Sequence, residues 1–366
     1  MRVLVLGGSE FVGRAVIEAA LAQGAEVTVV NRGTHRAPAG VRWLRADRRV
    51  PDELADALRA AGHQGAGSGG DERDSRFDLV VDTWSWEPWV VRDSARLLEP
   101  WAERYLLVSS RSVYADPVPA GATERHPVVE SSADDGDPRQ PGAVPAQQLD
   151  YARMKAGGER AVQEAFGDRG IVVRPGLVLG PWENVGRLPW WLGRIARGGE
   201  VLAPGDPATG IQFIDARDLA WWLLGLPEAV TDEHRDAPGA IVAFDAVSPV
   251  GRHTMGGLLE ACVAVTGSSA RLCWLPEPML LAGGVQPWTG LPIWLPAGAD
   301  HDSLHGSDVS KALGAGLVLR PLEATVADTW AWLGELGGAA PQRADRPALG
   351  LDPALERRLL DASTGS

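Results

Sequence analysis

A doubly wound parallel α/β sheet with a smaller C-terminal lobe is the architecture this sequence predicts. Three observations carry it. Short aliphatic and β-branched runs alternate with stretches of helical spacing through the first half of the chain. A glycine-rich turn separates the first of these runs from the first helical stretch. At 366 residues, 45% hydrophobic and 23% charged, the chain has a soluble globular profile and room for about two domains.

Arg2–Leu6 is the first strand, followed by the turn Gly7-Gly8-Ser9-Glu10-Phe11-Val12-Gly13. Val12–Gln23 then repeats apolar residues at Val12, Ala15, Val16 and Ala19, one face of a helix that Gly24 ends. Glu26–Val30 reads as the second strand, with further strands at Val41–Leu44, Leu79–Asp82, Tyr105–Ser109 and Ile171–Val173. A helical stretch runs from Tyr151 to about Phe166. Strands separated by helices join through right-handed crossovers, which makes the sheet parallel and covers both its faces. Two inserts break the alternation. His63–Arg76 is glycine-rich and charged, the composition of a surface loop. Ala115–Leu149 is too long for a plain connection, and loops of that length are often functional or disordered.

Composition narrows the function. Lys+Arg 35 against Asp+Glu 48 leaves a net charge of −13, so the global balance disfavours nucleic-acid binding. Cys262 and Cys273 lack ligand-like spacing, which argues against a disulfide scaffold or thiolate zinc site and fits a reducing, cytoplasmic compartment. The apolar opening run stops at Gly7-Gly8 without a cleavage-like site. The uncharged stretch Pro278–Ala299 could span a bilayer by length, but its prolines and glycines break any helix, so it is read as a buried or pocket-lining loop. No membrane contact is expected. Asp300-His301-Asp302 with His305 has metal-capable atoms but no accompanying ligand motif; it is read as a solvated loop, and no metal is assigned.

The glycine turn lies where a phosphate-binding turn must lie, after a strand and opening a helix. Its glycines permit a tight bend, and the helix N-terminus offers N–H groups to a pyrophosphate. Gly7, Ser9, Glu10, Phe11, Val12 and Gly13 are the candidate contacts. After the second strand an NAD site ordinarily carries Asp or Glu for the ribose hydroxyls. Here Asn31-Arg32-Gly33 stands instead, and Arg32 can pair with a 2′-phosphate. NADP(H) is therefore expected, with NAD as the alternative. Asp47, just past the third strand, is placed to meet the adenine amino group.

Tyr151-Ala152-Arg153-Met154-Lys155 places a phenol and an ammonium on one helix face. A free tyrosine, with a pKa of about 10, exchanges protons poorly at pH 7, and a neighbouring ammonium favours its phenolate. Lys155 can also reach a nicotinamide ribose, leaving Tyr151 to exchange a proton with a substrate oxygen. Tyr105–Tyr114 reads as a buried strand ending in hydroxyls, at the end of the sheet where ligands bind. Ser110 there can hold a carbonyl or alcohol against Tyr151, although the chemistry alone does not choose among Ser109, Ser110 and Ser112.

With these motifs in order, followed by Val173-Arg174-Pro175-Gly176-Leu177-Val178-Leu179-Gly180-Pro181, the chain resembles an extended, somewhat atypical short-chain dehydrogenase/reductase, the group that includes NAD-dependent epimerases and dehydratases. The resemblance covers roughly residues 1–335, through Phe213-Ile214-Asp215-Ala216-Arg217-Asp218-Leu219-Ala220 and the closing Leu313–Trp332 region. It implies Ser110 as catalytic serine, Tyr151 as acid/base and Lys155 as ribose-binding lysine, with Pro175 and Leu177 flanking the nicotinamide. It also implies a dinucleotide-binding Rossmann domain over 1–175 and 211–247 and a substrate lobe over 176–210 and 248–335. A loosely held tail follows over 336–366, with one short helix at Pro353–Leu360.

The chain departs from the family pattern at three places. Glu10 replaces the middle glycine of the turn, a variation similar to that of the chloroplast stem-loop RNA-binding relatives. Ile211 and Gln212 stand where nucleotide-sugar epimerases carry a diphosphate-clamping arginine. Arg111 and Ser112 replace the Asp-Glu pair of sugar dehydratases.

Many of the 15 tryptophans fall after Gly180, where their faces could stack on a substrate ring, although most are expected to pack the core, Trp221-Trp222 above all. The leading expectation is an NAD(P)-dependent reductase acting on a ketone or aldehyde of a small to medium hydroxylated substrate. The alternatives are a sugar or nucleotide-sugar epimerase that retains NAD, and a non-catalytic dinucleotide- or RNA-binding protein of the same fold. The partner is a small molecule, and the assembly a monomer or homodimer.

Overall fold

The computed structural model describes residues 1–63, 76–340, 342–343 and 347–364. Seven strands form the central sheet: β1 (Arg2–Leu6), β2 (Glu26–Asn31), β3 (Arg42–Arg45), β4 (Phe77–Asp82), β5 (Ala102–Val108), β6 (Gly170–Pro175) and the strand Val242–Ala246. Their order is Val242–Ala246, β6, β5, β4, β1, β2, β3, and every pairing is parallel. The expected strands are all present. β5 starts earlier than its apolar run because the Phe77–Ala102 and Leu79–Arg104 pairs extend the ladder into polar sequence. Chain order reverses between β1 and β4, and ligands of such sheets bind outside the strand ends at that reversal.

Side chains alternate across each strand and so build two cores. Val3 and Val5 pack with Ile17 of helix α1 (Phe11–Ala22) and with Leu219 and Leu223 of the helix Ala216–Ala229. Leu4 and Leu6 face the other way, towards Leu58 of α2 (Glu53–Ala60), Val91 of the helix Pro88–Leu98 and Val162 of the helix Tyr151–Phe166. Both faces are covered, which is why the strands read as continuous apolar runs. A third core forms the lobe, with Leu188, Trp191, Phe213, Leu258, Trp294 and Val326 at its centre.

Several expectations are corrected. The described part of the tail is not loose: the helix Pro353–Thr364 docks on the lobe, burying Leu359 and Leu360. Glu356 there accepts from Arg194 Nε (2.8 Å) and Leu202 N (3.1 Å). Trp222 is core but Trp221 is 56% exposed, because neighbours on a helix point about 100° apart. The segment Ala299–His305 is a helix rather than a solvated loop. His305 is buried with its Nδ1 accepting from Gln212 N (3.0 Å), and burial lowers its pKa to about 4.

The 115–149 insert is held by ion pairs. Arg92 meets Asp134 and Asp137, and Arg153 meets Asp135 (2.8 Å). Pro278–Ala299 begins in the helix Glu277–Ala282 and then buries Leu291, Ile293 and Trp294. The glycine-rich insert falls, over 64–75, outside the described residues. Among the described residues no helix is long and apolar enough to cross a membrane, and no group of three or more His, Cys, Asp or Glu side chains is placed to hold a metal ion.

Candidate active site

One cleft, of about 530 Å³, opens above the β1–β4 reversal. The turn from Gly7 to Gly13 forms one wall. Gly7 (φ +111°) and Gly8 (φ +82°) adopt backbone that side chains disfavour. A Cβ on Gly13 would lie 2.6 Å from the Gly8 Cα, so only glycine lets α1 begin this close to the turn. Glu10 is tolerated in place of a glycine because its backbone is extended (φ −134°) and its exposed side chain turns to His35 Nδ1 (3.2 Å). No side chain caps α1, so its first N–H groups remain available for an anion.

The opposite wall carries Ser110, Tyr151 and Lys155, with Pro175 and Leu177 beside them. Asp150 caps the helix Tyr151–Phe166 by accepting from Arg153 N (2.7 Å), so Tyr151 stands in the first turn, half-buried at the cleft. Lys155, one turn on, is 3% exposed. Its Nζ donates to the carbonyls of Trp84 and Val108, each at 2.6 Å, and lies 3.4 Å from Ser85 Oγ. Burial lowers its pKa to about 8, against the pull of Asp82 and Glu159. At pH 7 it remains mostly an ammonium, the form that favours a phenolate nearby.

Geometry separates the serines that sequence left equivalent. Ser109 Oγ donates to Glu159 (2.6 Å), and Glu159 forks onto Arg174 (2.9 and 2.7 Å), so Ser109 is committed to the scaffold. Ser110 Oγ accepts from Ser112 N (3.1 Å), and both hydroxyls line the cleft.

Three expected cofactor contacts lie outside this cleft: Asn31, Arg32 and Asp47. Arg32 is exposed at the end of β2. Asn31 Oδ1 accepts from Gly33 N (2.8 Å) and Trp43 Nε1 (2.9 Å), and Nδ2 donates to Ser9 Oγ (3.2 Å), which ties β2 to the glycine turn. Asp47 accepts from Arg49 N (3.0 Å). Conversely, the cleft gains Thr83, Arg111, Asn184, Arg187, Trp288 and Arg343, which the motifs did not single out as site residues. Ile211 and Gln212 are buried, and Gln212 is saturated by Ser248 O (2.7 Å) and Ser307 O (2.9 Å), so neither faces the site.

Among curated proteins none matches this sequence. Solved structures are similar over nearly the whole chain. The Bordetella bronchiseptica enzyme WbmG, in complex with NAD and UDP, is 17% identical with a TM-score of 0.59, over 95% of this chain and 99% of that one. UDP-glucuronic acid 4-epimerase from Bacillus cereus, in complex with NAD, is 14% identical (TM-score 0.58; 92% and 99% covered). UDP-glucose 4-epimerase from Bifidobacterium longum, in complex with NAD+ and UDP, is 16% identical (TM-score 0.58; 92% and 99% covered). At these identities the likeness establishes the fold. The model of the NAD dependent epimerase/dehydratase family matches residues 3–235. This chain therefore belongs to the NAD dependent epimerase/dehydratase family and is an NAD-dependent enzyme of the short-chain dehydrogenase/reductase type.

Proposed function

We propose that the protein is an epimerase that inverts a hydroxyl-bearing carbon of a small, sugar-like substrate, rather than a net reductase. One observation carries the reading: the turn suited to a pyrophosphate and the Ser110, Tyr151 and Lys155 side chains open onto a single cleft. When bound there, the dinucleotide supplies a reversible hydride acceptor. Tyr151 takes the proton from the substrate hydroxyl and later returns it. Lys155, fixed by two carbonyls, supplies the positive charge that favours the phenolate and a donor for the ribose. Ser110 and Ser112 hold the oxygen that becomes a carbonyl between the two proton transfers. Because Ile211 is buried and Gln212 saturated, the family's usual diphosphate clamp is missing, which favours a sugar without a nucleotide.

The finer cofactor preference turns on β2. Both lone pairs of Asn31 Oδ1 are engaged, so the acceptor that would favour an unmodified adenosine ribose is lacking at Asn31, while Arg32 suits a 2′-phosphate. NADP is thus proposed beside NAD.

Denaturing purified protein and assaying the released dinucleotide tests retention. Following a panel of sugars by NMR, with dinucleotide but no external reductant, tests inversion. Tyr151→Phe should cut turnover by at least about a hundredfold and leave dinucleotide affinity nearly intact. Unchanged turnover removes the acid/base role. Stoichiometric consumption of NAD(P)H with a carbonyl substrate restores net reduction.

A further inference from the structure

Arg111 follows Ser110 and is buried, yet it opens onto the cleft with its guanidinium only partly used. Nε donates to Asp245 Oδ2 (3.0 Å), and Nη1 to the carbonyls of Ser303 (2.7 Å) and Leu304 (3.4 Å). Among the described residues no acceptor meets Nη2, and this nitrogen is not sealed from solvent, so it is reached from the cleft that Arg111 lines. A guanidinium nitrogen open to a cleft is a ready donor for a ligand carboxylate, whose planar oxygens match its geometry.

The group cannot swing elsewhere for a partner. Asp245 also accepts from the Tyr114 hydroxyl (2.7 Å), which in turn takes Arg174 Nη1 (3.1 Å), and Arg174 is forked onto Glu159. Arg111 is thus held rigidly with one open nitrogen facing the site. The surrounding charge agrees. Arg111, Lys155, Arg187 and Arg343 line the cleft, whereas Glu10, on the phosphate turn, is the only acidic residue among the described lining residues. In a chain of net charge −13 this concentrates positive potential where substrate enters.

We propose that Arg111 is a specificity-determining residue that binds a carboxylate carried by the substrate, next to the carbon handled by Ser110 and Tyr151. The substrate class is then a sugar acid, a uronate or aldonate, rather than a neutral sugar. A carboxylate suits the site better than a phosphate, because a second negative charge would be brought beside buried Asp245 with only one nitrogen to meet it. This deepens the epimerase reading and rests on it for the identity of the reacting carbon.

The test is calorimetric titration of the NAD-loaded protein with glucuronate, galacturonate and gluconate, each against its neutral partner glucose, galactose or sorbitol. Glucose 6-phosphate forms a third arm. At least one acid is expected to bind tenfold or more tightly than its partner. That advantage is expected to vanish in Arg111→Lys, which keeps a charge towards Asp245 but lacks the second guanidinium nitrogen. Arg111→Ala is avoided because it strands Asp245 and threatens the fold. Equal binding of acids and neutral sugars, binding by no acid, or tightest binding by glucose 6-phosphate overturns the proposal, and the wild-type comparison decides even if the variant fails to fold. NAD titration alone is run in parallel. Its failure would sink the epimerase reading while leaving the acid-versus-neutral comparison in the unloaded protein to decide Arg111.

Discussion

Lys155→Met isolates one buried ammonium. Burial holds the folded-state pKa of Lys155 at about 8, against an ordinary value of 10.5. Between those values the unfolded chain keeps a proton that the folded one has released, so this group makes stability rise with pH. The gain between pH 7 and pH 9.5 is about 2 kcal/mol. Methionine removes that titration. At pH 7 it also relieves an ammonium-burial cost of about 3 kcal/mol. In exchange it strands the carbonyls of Trp84 and Val108, at about 1–3 kcal/mol each. Together these terms place the variant between about 1 kcal/mol more stable and about 3 kcal/mol less stable than wild type at neutral pH. Urea denaturation followed by tryptophan fluorescence, at both pH values and for both proteins, measures the difference. The stability of wild type relative to the variant should rise by about 2 kcal/mol on going to pH 9.5. A flat difference would refute burial as the force acting on Lys155.

Two other outcomes follow from named contacts. Arg32→Ala should weaken NADPH binding more than NADH binding in fluorescence titration, and an unchanged ratio would exclude a 2′-phosphate at the end of β2. Glu356→Ala should cost about 3–5 kcal/mol in urea denaturation, because Arg194 is left buried without its carboxylate. Limited proteolysis should then release the C-terminal helix first, and a variant as resistant as wild type would show that the helix is held by its apolar face alone.

The sheet was legible because a strand buried on both faces cannot hide: Val3-Leu4-Val5-Leu6 splits between two cores and so reads as an unbroken apolar run. Tyr151 and Lys155 were legible because a four-residue spacing fixes a shared helix face whatever surrounds it. Choosing among the serines was not possible in advance, since Ser109 is taken by a carboxylate fifty residues away that Arg174 in turn orients. Asn184, Trp288 and Arg343 are distant in sequence and meet only when the lobe folds, so no local pattern announces them. Composition also misled at Trp221, where an apolar neighbourhood concealed the outward-facing side of a helix.

The lobe's core is stitched from four separated stretches, 177–213, 255–294, 322–333 and 351–360. During synthesis, therefore, the nucleotide half can assemble most of its sheet once residue 246 has left the ribosome, while the lobe must wait for the last of its stretches. Until then Trp191 and its neighbours lack the partners that bury them, an apolar surface that invites aggregation before the lobe closes.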